Sequence, residues 1–117
     1  MKVAEVRDIL KADVLFGQAL LDRTVSGAGG ADLMEDVLAA AAKDALLLTG
    51  LTTEHVLRTA KIVGVAAVVF VRGKTPGSQI IDLGRSFELP ILRTEYSLFV
   101  ACGRLYMNGL RGLDGSW

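Results

Sequence analysis

Three short stretches combine threonine hydroxyls with cations: Thr49-Gly50-Leu51-Thr52-Thr53, Arg72-Gly73-Lys74 and Arg93-Thr94. Hydroxyls, ammonium groups and the planar guanidinium fork hold phosphate or carboxylate. Each stretch directly follows a short apolar run. If those runs are neighbouring parallel strands, the stretches share one rim of a sheet, where open α/β sheets bind their ligands. Thr49, Thr52, Thr53, Arg72, Lys74 and Arg93 are therefore the candidate anion-binding set. The competing reading is that the threonines are helix caps and the charges are solvated.

Ser26-Gly-Ala-Gly-Gly-Ala-Asp32 has the look of a phosphate-cradling turn. It lacks the Lys-Ser/Thr of a P-loop, and Asp32 stands where a dinucleotide fingerprint needs its third glycine. A carboxylate at a helix start also repels phosphate. The stretch is read instead as small residues that let a strand and a helix approach closely. His55 is the sole histidine and Cys102 the sole cysteine, which excludes an internal disulfide and any paired-histidine or multi-cysteine metal site. His55 is read as a surface residue at a helix start, and Cys102 as a buried apolar thiol. No serine sits in a nucleophile elbow, and no carboxylate pair accompanies the histidine. Asp32, Glu35 and Asp36 read as helix-start charges. No catalytic residue, metal or cofactor is expected, and the chain is read as not an enzyme.

The elements that would position the anion set are legible. Ala45–Thr49, Ala66–Arg72 and Pro90–Arg93 recur about every 22 residues, a βα spacing and not a hairpin spacing. Leu46-Leu-Leu48 and Val65–Val71 are continuously apolar, as in strands covered on both faces. A helix to about Val63, capped by Thr52 or Thr53, turns Val56, Ala60 and Val63 inward. Thr75-Pro76 starts the next, which buries Ile80, Leu83 and Phe87. Thr94 caps a last helix, Glu95 to about Asn108, with Gly109 as its stop. In the first half, Val3, Val6 and Leu10 mark an amphipathic helix. Asp13–Gly17 is a strand, Gln18–Arg23 a loop and Thr24–Ala28 a second strand. Asp32 caps a helix with Leu33, Val37, Leu38 and Ala41 inward. The sum is one α/β/α domain, three layers deep, with about five strands in a mostly parallel sheet. It spans residues 1–108, with 109–117 a flexible tail ending in Trp117.

The last helix carries more apolar residues than one buried stripe requires. Phe99, Cys102 and Tyr106 are the candidate dimer interface. The 117 residues are 51% apolar and 22% charged, enough for one core. Thirteen basic residues balance thirteen acidic ones, which argues against nucleic-acid binding by bulk charge. No apolar run approaches a bilayer span, and the N-terminus does not read as a signal peptide. A cytoplasmic homodimer is expected, without nucleic acid or membrane, and with a protein partner or small anionic ligand.

Leu21-Asp-Arg-Thr-Val-Ser-Gly27 resembles the motif of the DRTGG domain, through Asp22, Arg23 and Thr24; Val25-Ser26 intervene before Gly27. The three βα units and the segment Phe99–Tyr106 follow the same order, so the resemblance covers about residues 1–108. It implies an α/β/α fold similar to the N-terminal domain of HPr kinase/phosphorylase, in a family found alone or fused to CBS domains. No established activity belongs to it. It implies a non-catalytic regulatory or assembly module, accessory to a hydrogenase or serine-kinase system; the alternative is a small-anion or nucleotide sensor. Asp22, Arg23 and Thr24 are read as structural, bonding to nearby backbone.

Overall fold

The computed structural model describes residues 1–40 and 42–112. Helix α1 (Val3–Leu10) leads into strand β1 (Asp13–Phe16) and a single 3-10 turn (Gln18–Leu20). Then come β2 (Ala28–Gly30), α2 (Met34–Ala40), β3 (Leu46–Thr49), α3 (Glu54–Val63) and β4 (Ala67–Phe70). The chain continues through α4 (Ser78–Phe87), β5 (Ile91–Arg93) and α5 (Leu98–Met107). The strands lie in the order β1-β5-β4-β3-β2. All neighbours are parallel except β1, which runs antiparallel to β5 along one edge.

Side-chain alternation along the central strands builds two cores. Leu46, Leu48, Ala67, Val69 and Leu92 face α1 and α5, where they meet Val3, Val6, Leu10, Ala101 and Leu105. Leu47, Val68, Phe70 and Ile91 face the other way, onto Met34, Val37, Val56, Leu57, Ala60 and Ile80. Both faces of β3 and β4 are buried, which is why those strands are continuously apolar. The fold is thus the three-layer α/β/α arrangement that the βα spacing predicts.

Several local expectations differ. The second strand is Ala28–Gly30, not Thr24–Ala28; Thr24 forms only an isolated bridge with Lys2. Two glycines in three residues give β2 no strand propensity. Its glycine serves packing: a Cβ on Gly30 would stand 2.7 Å from Leu98 Cδ1 and 2.9 Å from Cys102 Sγ. Close strand–helix approach is therefore what the small-residue stretch provides. Leu33 and Leu38 point outward, 56% and 50% exposed, leaving Met34 and Val37 as the buried pair of α2; Ala41 lies outside the described residues. Asp32 does not cap α2, because its carboxylate accepts hydrogen bonds from the β3–α3 turn.

The caps of the later helices shift downstream. Gly77, not Thr75, is the N-cap of α4. Ser97, not Thr94, caps α5, its Oγ accepting from the Val100 N–H. Thr94 is buried and donates instead to the Leu10 carbonyl at 2.7 Å, tying β5 to the end of α1. The expected tail is packed on the domain as far as Gly112. Leu110 is buried, the Arg111 carbonyl accepts from Ala28 N–H, and Gly112 bridges Ala28 alongside β2. Residues 113–117, including Trp117, lie outside the described residues. No helix among the described residues is long and apolar enough to cross a membrane.

Candidate functional site

The parallel strands deliver their following turns to one rim, and the six predicted anion-binding residues lie at the strand ends (Thr49, Arg93) or in those turns (Thr52, Thr53, Arg72, Lys74). Their side chains do not converge. Thr49 is buried, and its hydroxyl donates to Asp32 Oδ1 at 3.0 Å while accepting from Leu51 N–H. Gly50 N–H donates to the same Asp32 oxygen at 2.9 Å. That oxygen and hydroxyl lock the β3–α3 turn, so Thr49 has no free hydrogen for a ligand. Thr53 is the N-cap of α3 without a side-chain cap bond, and Thr52 is half-buried beside it. Lys74 is exposed in the loop after β4.

Arg93 is committed within the fold. Its Nε donates to the Gly73 carbonyl, Nη1 reaches Asp13 Oδ2 at 3.2 Å, and Nη2 reaches Glu95 Oε1 at 2.8 Å. This draws the guanidinium toward the β1 edge. Arg72 goes the other way. Its backbone is left-handed at φ 56°, followed by Gly73 at φ 67°. The two successive amides donate to the Tyr96 and Thr94 carbonyls, both at 2.8 Å. A non-glycine residue in this region costs on the order of 1 kcal/mol, and here it turns the Arg72 side chain toward β3.

There Arg72 borders a cavity of about 300 Å³ with Asp32, Gly50, Ser97, Leu98 and Phe99. A Cβ at Gly50 would lie 3.7 Å from Asp32 Oδ1 and 3.8 Å from Arg72 Nη2, so both charged groups face that glycine. Helix α5 starts at the cavity, which adds the positive end of its dipole. Of the predicted set, Arg72 alone lines this space. Asp32 and Ser97 are not in the sequence-derived set, and Phe99 is there only as a dimer-interface candidate. Asp32 follows β2 and Arg72 follows β4, with β3 between them in the sheet, so only the strand order brings this carboxylate to the arginine.

The motif residues lie at the opposite end of the sheet. The backbone, not the side chains, carries their structural contacts: the Arg23 and Leu21 carbonyls accept from Val3 and Ala4 N–H, holding the first turn of α1. Thr24 Oγ1 accepts a long bond from Lys2 Nζ, and Asp22 is exposed. His55 is exposed in the first turn of α3. Cys102 is half-buried against the α1/α5 core and Gly30, and its burial pushes the thiol above its ordinary value.

The third feature is the outer face of α5. Phe99 and Met107 are each 87% exposed, with Val100 and Tyr106 beside them. Leu98, Phe99, Cys102, Gly103, Tyr106 and Gly30 of β2 border an open apolar depression of about 640 Å³.

No family model and no curated protein matches the chain. Among solved structures it is similar to the CBS and DRTGG domains of the regulatory region of Clostridium perfringens pyrophosphatase, which was crystallised with its activator, diadenosine tetraphosphate. The TM-score is 0.75 at 17% identity, over 97% of this chain and 48% of that one. The chain thus spans about half the length of that structure and shares a fold found in that regulatory region.

Proposed function

We propose that the chain is a DRTGG-like regulatory or assembly module without catalysis of its own, acting as a homodimer through the outer face of α5. The observation that carries this is the apolar stripe Phe99–Val100–Gly103–Tyr106–Met107, which no element among the described residues covers. Large aromatic and methionine side chains at one site are the composition of interface centres, not of ordinary surface. The stripe lends itself to a second copy because it presents no exposed carboxylate to repel its own image across a twofold axis. Its neighbouring cations are exposed and lie against aromatic rings, Arg104 on Tyr96 and Arg111 on Tyr106 of the stripe itself. The regulatory setting of the similar pyrophosphatase domains supports a role in control. A hydrogenase or serine-kinase system would supply the partner. Light scattering at micromolar concentration tests the reading: a dimer is expected, and a monomer that persists at high concentration would refute it.

A second reading rests on the strained Arg72. Its guanidinium, the α5 start and exposed Phe99 border one cavity, which suits a nucleotide: phosphate at Arg72, base against Phe99, and a sugar hydroxyl donating to Asp32. Calorimetry with phosphate, acetyl phosphate and adenine nucleotides tests it. Binding that is lost in Arg72→Ala but kept in Arg93→Ala would support a sensor.

A further inference from the structure

The amino-terminal rim of the sheet holds a cavity of about 400 Å³ that takes in Arg23 and Thr24 of the motif together with Asp44, Lys61, Phe87 and Glu88. This volume suits a small metabolite. The cavity gathers residues of α3 and α4 with residues of the loops before β2 and β3. Arg23 comes from the segment that holds α1, and Lys61 comes from α3, its ammonium 5.7 Å over the Phe87 ring. Asp44 and Glu88 stand at the starts of β3 and β5, on either side of β4.

Four charged side chains thus border one space, and none of them belongs to an ion pair among the described residues. The backbone is shaped around it too: Asp44, Gly64 and Glu88 are all left-handed, at φ 65°, 81° and 53°. Gly64 and Glu88 are the C-caps of α3 and α4, so two helices aim their carbonyl ends at this rim. Those negative dipole ends and two carboxylates disfavour a simple anion. Arg23 and Lys61 disfavour a simple cation. Both signs are satisfied by a ligand that carries both.

From this distribution we infer that the amino-terminal cavity binds a small zwitterion of the α-amino-acid class. Arg23 and Lys61 take its carboxylate, and Thr24 adds a hydroxyl. Asp44 or Glu88 takes the ammonium, assisted by the helix ends. The site is on the far side of the sheet from Arg72 and is independent of the α5 face.

Titration of the isotope-labelled full chain with individual α-amino acids, followed by two-dimensional NMR, tests this. One amino acid should shift the amides of Thr24, Asp44, Gly64, Val65 and Glu88 saturably, while those of Gly50, Arg72 and Phe99 stay still. The matching amine without the carboxylate, and the matching acid without the amine, should bind roughly tenfold more weakly or less, the scale of one lost charge-assisted contact. Arg23→Gln and Glu88→Gln should each weaken binding by a similar factor. Should Arg23→Gln fail to fold, exposed Lys61→Gln repeats the test on the cationic side. No saturable shifts at this rim with any amino acid would overturn the proposal, as would equal binding of the simple acid, which would make the cavity a plain anion site.

Discussion

Helices α3 and α5 are each ten residues long and lie on opposite faces of the same sheet. Their inner faces are equivalent: Val56, Leu57 and Ala60 of α3, and Ala101 and Leu105 of α5, are buried almost completely. Their outer faces are opposites. On α3, Glu54 pairs with Arg58 at 3.2 Å, and His55 and Lys61 are exposed, with Ile62 the one large apolar exception. On α5 the outer face is Phe99, Val100, Tyr106 and Met107. Folding needs only the inner stripe of each helix, so the apolar outer stripe of α5 answers to something other than folding. That contrast is what supports the proposed dimer.

The largest effect tests the equivalence. Leu57→Ala and Leu105→Ala should each destabilise the protein by about 2–5 kcal/mol, the cost of a lost core leucine plus its cavity, read from urea unfolding. A cost under about 1 kcal/mol at either site would show that its inner face is not core. Next comes the seat of α5 on β2. Gly30→Ala forces a methyl into Leu98 and Cys102 and should cost about 1–3 kcal/mol. The same change at Gly103, whose added Cβ meets nothing within 4 Å, should be neutral or slightly stabilising, since alanine favours a helix interior.

The outer faces separate in association. Phe99→Asp should weaken the dimer at least tenfold, about 1.4 kcal/mol, and move the light-scattering mass toward the monomer. Ile62→Asp on α3 should leave association unchanged. Equal effects, or none at Phe99, would erase the distinction between the helices.

What the sequence disclosed follows the same division. Inner stripes and doubly covered strands are written in periodicity, so β3, β4, β5, the sheet class, the buried positions of α1 and Val56 and Ala60 of α3 were legible, whereas Val63 is only half-buried and buried Leu57 was missed. Where an element is fixed by contact with a distant one, periodicity is silent. The strand β2 is Ala-Gly-Gly because α5 presses on it. Thr94, Asp32 and Arg93 reach over the fold to Leu10, the β3–α3 turn and Asp13, where local reading made caps and anion ligands of them. Leu33 and Leu38 looked inward by type, but α2 buries only Met34 and Val37. The candidate site was legible as a rim, not as a constellation.

The two arginines of that rim form a smaller contrast. Arg93→Ala removes two exposed ion pairs and a bond to the Gly73 carbonyl, together about 1 kcal/mol. Arg72→Ala removes no ion pair among the described residues and should change stability by less than about 0.5 kcal/mol. If Arg72→Ala proves the more destabilising of the two, Arg72 is structural and the sensor reading loses its cation.

The smallest effect concerns Cys102, which sits between the inner and outer faces of α5. Half-burial raises its thiol by desolvating the thiolate, and only the thiolate attacks an alkylating agent. Iodoacetamide should therefore label the native protein more slowly than the urea-unfolded chain at mildly alkaline pH, with the native rate–pH midpoint displaced upward. The sign for stability follows from linkage. Below the unfolded thiol's pKa both states hold the proton and Cys102 contributes no pH dependence. Above it the unfolded chain loses the proton first, so native stability falls as pH rises toward the higher folded value. Cys102→Ala should abolish that alkaline decline. A second copy on α5 would bury the thiol further, so Phe99→Asp, by releasing the partner, should speed labelling relative to the wild-type dimer. Identical rates in the two proteins would place Cys102 outside the interface and confine the contact to Phe99, Tyr106 and Met107.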